Sequence, residues 1–142
     1  MKEIAVDSCV LAKWLFFEPD SEKADELIAP VTTGGIFLVL LDIAPAEVTN
    51  VIWKRRRRGE ITDAEARAAL WRLKKLPAEI IPCASLLTDG LEIAMRYDRS
   101  AYDALFVALV HHRGCRGVTA DEPLYNVTHR DYPGVVLLKN MP

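Results

Sequence analysis

Asp7, Glu47, Asp103 and Asp121 are the side chains whose type and placement could do chemistry. Asp7 closes an apolar stretch near the N-terminus, and Asp121 directly follows the apolar Val118-containing segment. Glu47 and Asp103 each fall in the first turn of a helix pattern, behind Pro45 and Ser100 respectively. Singly, each has an ordinary explanation: an acid in a first turn complements the helix macrodipole, and an Asp after a strand is a common turn residue. Together they predict something else. Four carboxylates at one edge repel one another and raise their own pKa values unless a cation sits among them. An all-oxygen donor set without His or Cys suits Mg²⁺ or Mn²⁺ rather than zinc.

The elements that must carry these acids are legible from apolar spacing. Glu3–Val6 and Ile36–Leu41 read as short strands, the second an apolar run buried on both faces as in a parallel sheet. Val10–Phe17 begins a helix, Ser21–Ile28 continues as one, and Thr32-Thr33-Gly34-Gly35 marks a turn. A helix from Pro45 runs to about Arg58, where Gly59 ends it. Thr62-Asp63-Ala64-Glu65 is a capping box opening a helix with Leu70, Trp71 and Leu73, closed by Pro77. Glu79–Cys83 reads as a third strand. Helices follow over about Leu86–Tyr97 and from the Ser100 cap to His112, and Gly114 stops the second. Val118–Ala120 and Val135–Leu138 complete the strands. Strands alternating with helices predict an α/β fold with a mainly parallel sheet. Ligands of such sheets bind outside the strands' carboxyl ends. Asp7, Glu47 and Asp121 fall there directly. The helix carrying Asp103 runs antiparallel to the strand after it, which returns its first turn to the same edge.

The 142 residues, 51% of them hydrophobic, predict a single domain spanning 1–142. The longest apolar run is far too short to span a bilayer, and the opening residues lack a secretory apolar region, so a soluble, cytoplasmic protein is expected with no membrane partner. Cys9, Cys83 and Cys115 lack metal-site spacing and read as reduced, mostly buried thiols. The net charge is −2, but Lys54–Lys75 holds nine basic and three acidic residues, so the charge is polarised along the chain.

Four segments in order, Ala5-Val6-Asp7-Ser8, Glu47-Val48-Thr49-Asn50, Ser100-Ala101-Tyr102-Asp103-Ala104-Leu105 and Val118-Thr119-Ala120-Asp121, resemble the PIN-domain ribonucleases, specifically the VapC-type toxins of toxin–antitoxin pairs. The resemblance covers nearly the whole chain, and the family's acidic positions fall on Asp7, Glu47, Asp103 and Asp121. It implies a PIN-like three-layer fold, a central parallel sheet flanked by helices. It also implies a metal-dependent endoribonuclease, the toxin of a type II system, that leaves a 5′-phosphate and a 3′-hydroxyl. One or two Mg²⁺ or Mn²⁺ ions would be held by Asp7, Asp103 and Asp121, with Glu47 a ligand or the general base. A homodimer and a small VapB-like antitoxin are the implied partners besides RNA. The rival within the same fold is a catalytically silent PIN domain that serves as a protein-binding module. A haloacid-dehalogenase-type phosphatase would want a second Asp where Cys9 stands.

Around the acids, Ser8, Asn50 and Thr119 are candidate supporting groups, Asn50 because it lies three residues after Glu47 on the same helix face. Lys54, Arg55, Arg56, Arg57 and Arg58 sweep around more than one turn, so they read first as a solvated helix end, with phosphate contacts as the competing role. Asp98 reads as a surface acid paired with Arg99. His111, His112 and His129 are not placed for catalysis, and Trp14, Trp53 and Trp71 read as core or interface residues rather than base-stacking platforms.

Overall fold

The computed structural model describes residues 2–142. Five strands form one sheet: β1 (Lys2–Val6), β2 (Ile36–Leu41), β3 (Glu79–Ile81), β4 (Arg116–Thr119) and β5 (Val135–Leu137), in the order β3-β2-β1-β4-β5. Every neighbouring pair is parallel. The helices are α1 (Ser8–Leu15), α2 (Ser21–Thr32), α3 (Ala44–Arg57), α4 (Asp63–Lys75), α5 (Leu87–Tyr97), α6 (Ala101–Arg113) and α7 (Glu122–Thr128). Among the described residues no helix is long and apolar enough to cross a membrane.

Successive strand side chains point to opposite faces, and that alternation divides the core into two layers. Ile4, Val6, Leu38 and Leu40 pack with α1, α2, α3 and α4, whereas Ala5, Val39 and Leu41 pack with α5 and α6. The predicted three-layer α/β arrangement is the one formed. Helix α6 is buried over seven consecutive residues, Ala104–Val110, because the sheet covers one side and α5 the other. It comes so close to β4 that a Cβ at Gly117 would meet Val110 Cγ2 at 2.0 Å. Only glycine permits that approach, which sets the height of α6 over the sheet and so the place of Asp103 in its first turn.

Several boundaries differ from the sequence expectation, each for a local reason. Helix α1 starts at Ser8, immediately after Asp7, because the Asp7 carboxylate accepts from the Ser8 backbone N–H at 2.9 Å and caps the helix. Strand β4 covers Arg116–Thr119, earlier than the expected Val118–Ala120, since Ala120 and Asp121 leave the ladder to enter α7. Helix α7 is additional to the elements read from the sequence; Asp121 caps it and Pro123 sits in its first turn. The three cysteines are free but only partly buried, not the mostly buried thiols expected.

Candidate active site

Strands β2 and β3 lie on one side of β1, and β4 and β5 on the other, so the winding of the sheet reverses between β1 and β4. Diverging connections at such a switch point open a crevice at the carboxyl ends of the two strands. Asp7 and Asp121 are the residues that leave those two strands, each as a helix cap; Asp121 accepts from the Leu124 backbone N–H at 3.1 Å. Capping leaves one oxygen of each carboxylate for other partners.

A buried hydroxyl couples these two caps. Thr119, fully buried, donates its hydroxyl proton to Asp7 Oδ2 at 2.8 Å and accepts from the Asp121 backbone N–H at 3.1 Å. Its single proton is committed to Asp7, so at the 3.6 Å contact with Cys9 Sγ the thiol is the donor. Burial first, and the Asp7 charge next, push the Cys9 thiol up to about 12, which keeps it protonated for that role. The same sulfur accepts from the Ala120 backbone N–H at 3.3 Å. The structure places Thr119 between Asp7 and Asp121, and brings Cys9, which is not a sequence candidate, to the same place. Its only sequence signal is its place two residues after Asp7.

Glu47 enters from the first turn of α3 and is half-buried. Burial, then the charges of Asp7 and Asp103, raise its pKa, with the nearby Ser8 hydroxyl opposing the rise as a hydrogen-bond donor. Asp7 is pushed up to about 6, mainly by burial, with Asp103 adding to the rise and the Thr119 and Ser8 hydrogen bonds opposing it. These three acids therefore sense one another.

Asp103 and Asp121 have a partner that Asp7 and Glu47 lack. Ser100 caps α6 by accepting from the Asp103 backbone N–H, which leaves the Asp103 carboxylate free. Nη2 of Arg99 donates to Asp103 Oδ2 at 2.9 Å and to Asp121 Oδ2 at 3.2 Å. This corrects the expected Asp98–Arg99 pair. Asp98 instead ends α5 in the left-handed conformation (φ 54°), a position that Asp tolerates better than most residues.

Among the described residues, no three His, Cys, Asp or Glu groups stand close enough to ligate one ion as they are placed. The donor set nevertheless fits a hard divalent ion. It consists of carboxylates at a switch point, two of them with pKa values raised by burial and mutual repulsion, and the cation found among the other two is a protein side chain.

The remaining candidates are placed as follows. Asn50 is exposed one turn beyond Glu47 and makes no side-chain hydrogen bond to the acids. In the basic run, Arg55 pairs with Glu18 and Glu60, Arg56 with Asp63, and Arg58 with Glu60, while Arg57 lies over the Trp53 ring and Lys54 is exposed. Trp14 packs against the core. Trp53 and Trp71 are exposed instead, because α3 and α4 turn Ile52, Ala69 and Leu73 inward and the tryptophans fall on other faces. His129 stacks on Tyr125, and His111 meets the edge of Tyr132, both remote in role from the acids. A cavity of about 410 Å³ opens beside the amino ends of β2 and β3, lined by residues such as Val31, Phe37 and Pro77; it carries none of the four acids.

The parallel sheet with acids at its β1/β4 switch point is the arrangement of a nuclease-like α/β domain, and comparison with known proteins agrees. The PIN domain family model matches residues 4–129, and the chain belongs to that family. It is 30% identical over 125 residues to Ribonuclease VapC3 of Pyrobaculum aerophilum, an alignment covering 86% of this chain and 92% of that protein. The crystal structure of PAE2754 from Pyrobaculum aerophilum superposes with a TM-score of 0.74 at 22% identity, covering 97% of this chain and 85% of the other. VapBC2 from Rickettsia felis, solved bound to a DNA fragment from its promoter, superposes with a TM-score of 0.62 at 15% identity, covering 95% and 96%.

Proposed function

We propose that this protein is a VapC-type endoribonuclease, the toxin of a type II toxin–antitoxin pair, which works as one domain in the cytoplasm and requires Mg²⁺ or Mn²⁺. The observation that carries the reading is the meeting of Asp7, Glu47, Asp103 and Asp121 at the β1/β4 switch point, within a chain that matches a named VapC ribonuclease over most of its length. A divalent ion bound there would acidify water and offset the charge that builds on the phosphate. Asp7, Asp103 and Asp121 are the residues to hold it. Glu47, with its pKa raised by burial and by two neighbouring acids, is suited to accept the proton of the attacking water on its carboxylate. Thr119 and Cys9 fix the Asp7 carboxylate, and Ser8 steadies Glu47. Lys54 and Arg57, which make no ion pair with this chain's acids, are the members of the basic run available to phosphate.

A VapB-like antitoxin and a second copy of the chain are the protein partners of this reading; the superposition on a VapBC complex supports the first. The test is incubation of antitoxin-free protein with structured and single-stranded RNAs in Mn²⁺ or Mg²⁺, beside EDTA and an Asp7→Asn variant. The expected products carry 5′-phosphate and 3′-hydroxyl ends and disappear in both controls. Cleavage that survives EDTA overturns the metal requirement. A protein that cuts no RNA across a broad panel is instead the binding module.

A further inference from the structure

Two observations at Arg99 go beyond the four acids themselves. The first is its seat. Arg99 lies between the left-handed Asp98 that ends α5 and the Ser100 that caps α6, and its backbone N–H donates to the Ala94 carbonyl at 3.2 Å, so the chain delivers the side chain to one place. From there a single nitrogen, Nη2, bridges a carboxylate on α6 and one at the end of β4. The side chains of Arg99, Asp103 and Asp121 keep 27%, 29% and 28% of their surface exposed, so the bridge is reachable from solvent. Among the described residues it is the one basic side chain paired with any of the four acids.

The second observation is how poorly the guanidinium is satisfied. Its Nε is buried and has no hydrogen-bond partner, and the two bonds it does make share one nitrogen. Arginine binds carboxylates best through its bidentate fork, which is not used here. A buried donor without a partner carries a desolvation cost. Arg99 is therefore a cation held at the right place by an imperfect set of bonds.

We propose that Arg99 is a resident counter-cation that closes the acid site in the metal-free protein by bridging Asp103 and Asp121, and that a divalent ion must displace its guanidinium to bind. The inference rests on the metal-dependent reading above and adds a competition internal to this chain. Nη2 stands 2.9 and 3.2 Å from the two Oδ2 atoms, the bridging place that a divalent ion ligated by both at about 2.0–2.6 Å would take from the same side, so ion and guanidinium compete for it. Displacement frees the buried Nε from its unsatisfied position as well.

Mn²⁺ binding without RNA, followed by electron paramagnetic resonance, tests this on wild type, Arg99→Met and Arg99→Lys. Arg99→Met is expected to bind Mn²⁺ about five- to tenfold more tightly, a range set by the modest strength of partly exposed ion pairs, with Arg99→Lys in between. Equal or weaker binding by Arg99→Met overturns the inference alone. If neither wild type nor Arg99→Met binds Mn²⁺, the metal-dependent reading falls with it. A second measurement needs no folded Met variant: the Arg99 Nε–H signal of the wild-type protein in ¹H–¹⁵N spectra, assigned through its loss in Arg99→Lys. It should move and exchange faster with water as Mg²⁺ is added. A signal unchanged at saturating Mg²⁺ overturns the displacement.

Discussion

Helix α6 has an arginine at each end, and each arginine joins two acids. At the C-terminal end Arg113 donates from Nε to Glu3 at 2.6 Å and from Nη2 to Glu79 at 2.8 Å, clipping the helix to the start of β1 and to β3. Just before the N-terminal end Arg99 reaches Asp103 and Asp121 through one nitrogen and leaves Nε buried without a partner. The two side chains are almost equally exposed, 26% and 27%, so solvent does not explain the contrast. Each acid paired with Arg113 sits on its own strand, and the arginine satisfies both. At the other end one arginine pairs with Asp103 and Asp121, while Asp7 and Glu47 beside them have no cation and carry raised pKa values. The amino edge of the sheet is electrostatically finished, while the carboxyl edge is short of positive charge. Such a deficit suits the metal-dependent reading proposed above.

The contrast can be broken by substitution. The largest expected effect is on Asp103→Asn, which removes the carboxylate for which the proposed ion and Arg99 compete; RNA cleavage should fall about 10³-fold, in the range seen when electrostatic stabilisation of a reacting phosphate or carbonyl is lost. Rates measured with labelled RNA at saturating Mn²⁺ check this, and a loss below tenfold would remove Asp103 from the site.

Next comes Asp7→Asn. The folded-state pKa of Asp7, about 6, lies above its ordinary 3.8, so the metal-free folded protein holds an extra proton between those values. The contribution of Asp7 to metal-free stability therefore falls as pH rises from about 4 to 6 and stays low above. The shift corresponds to about 3 kcal/mol at most. Removing the charge recovers only part of that, because the Nδ2–H of the substituted amide replaces the oxygen that accepted the Thr119 proton. In EDTA at pH 7.5 the variant should be more stable by about 1–2 kcal/mol, yet inactive. Denaturant melts of wild type and variant across pH 4–8 give the comparison, and a stability advantage of the variant that does not grow as pH rises from about 4 to 6 contradicts the account.

Smaller again is Arg113→Met, which should lower the melting temperature by about 2–4 °C equally with and without Mn²⁺. A drop confined to the EDTA sample would make both ends of α6 alike. Asn50→Ala, at an exposed position without a bond to the acids, is expected to change cleavage by no more than about threefold, measured in the same RNA assay.

Most of the fold is legible in the sequence because its signals are local. Apolar Ile36–Leu41, the capping box at Thr62, the Ser100 cap and the stop at Gly114 each act within a turn or two, and all four are found where expected. Helix α7 escapes such reading because seven residues give too little periodicity, although Asp121 with Pro123 two residues on is a usable start signal. The acids are legible for a related reason: each sits at an element boundary, and the carboxyl ends of parallel strands share one edge of the sheet. What joins them is not. Arg99 meets Asp121 across 22 residues, and Cys9 meets Thr119 across 110, pairings that exist only once the sheet has brought β4 beside β1. For Trp71 the sequence leaves core and interface open, and the helix angle removes the core: Ala69 and Leu73 define the buried face, and Trp71 points elsewhere.

The most direct test of the unfinished carboxyl edge is thermal melting of wild type and an Asp7→Asn/Asp103→Asn double variant at pH 7.5, each in EDTA and in excess Mn²⁺. At about 100 times its dissociation constant a bound ion adds about 2.7 kcal/mol, which in a chain of this size raises the melting temperature by about 5–10 °C. The account predicts that rise in the wild type and its absence in the double variant. An equal rise in both, or none in the wild type, would contradict it.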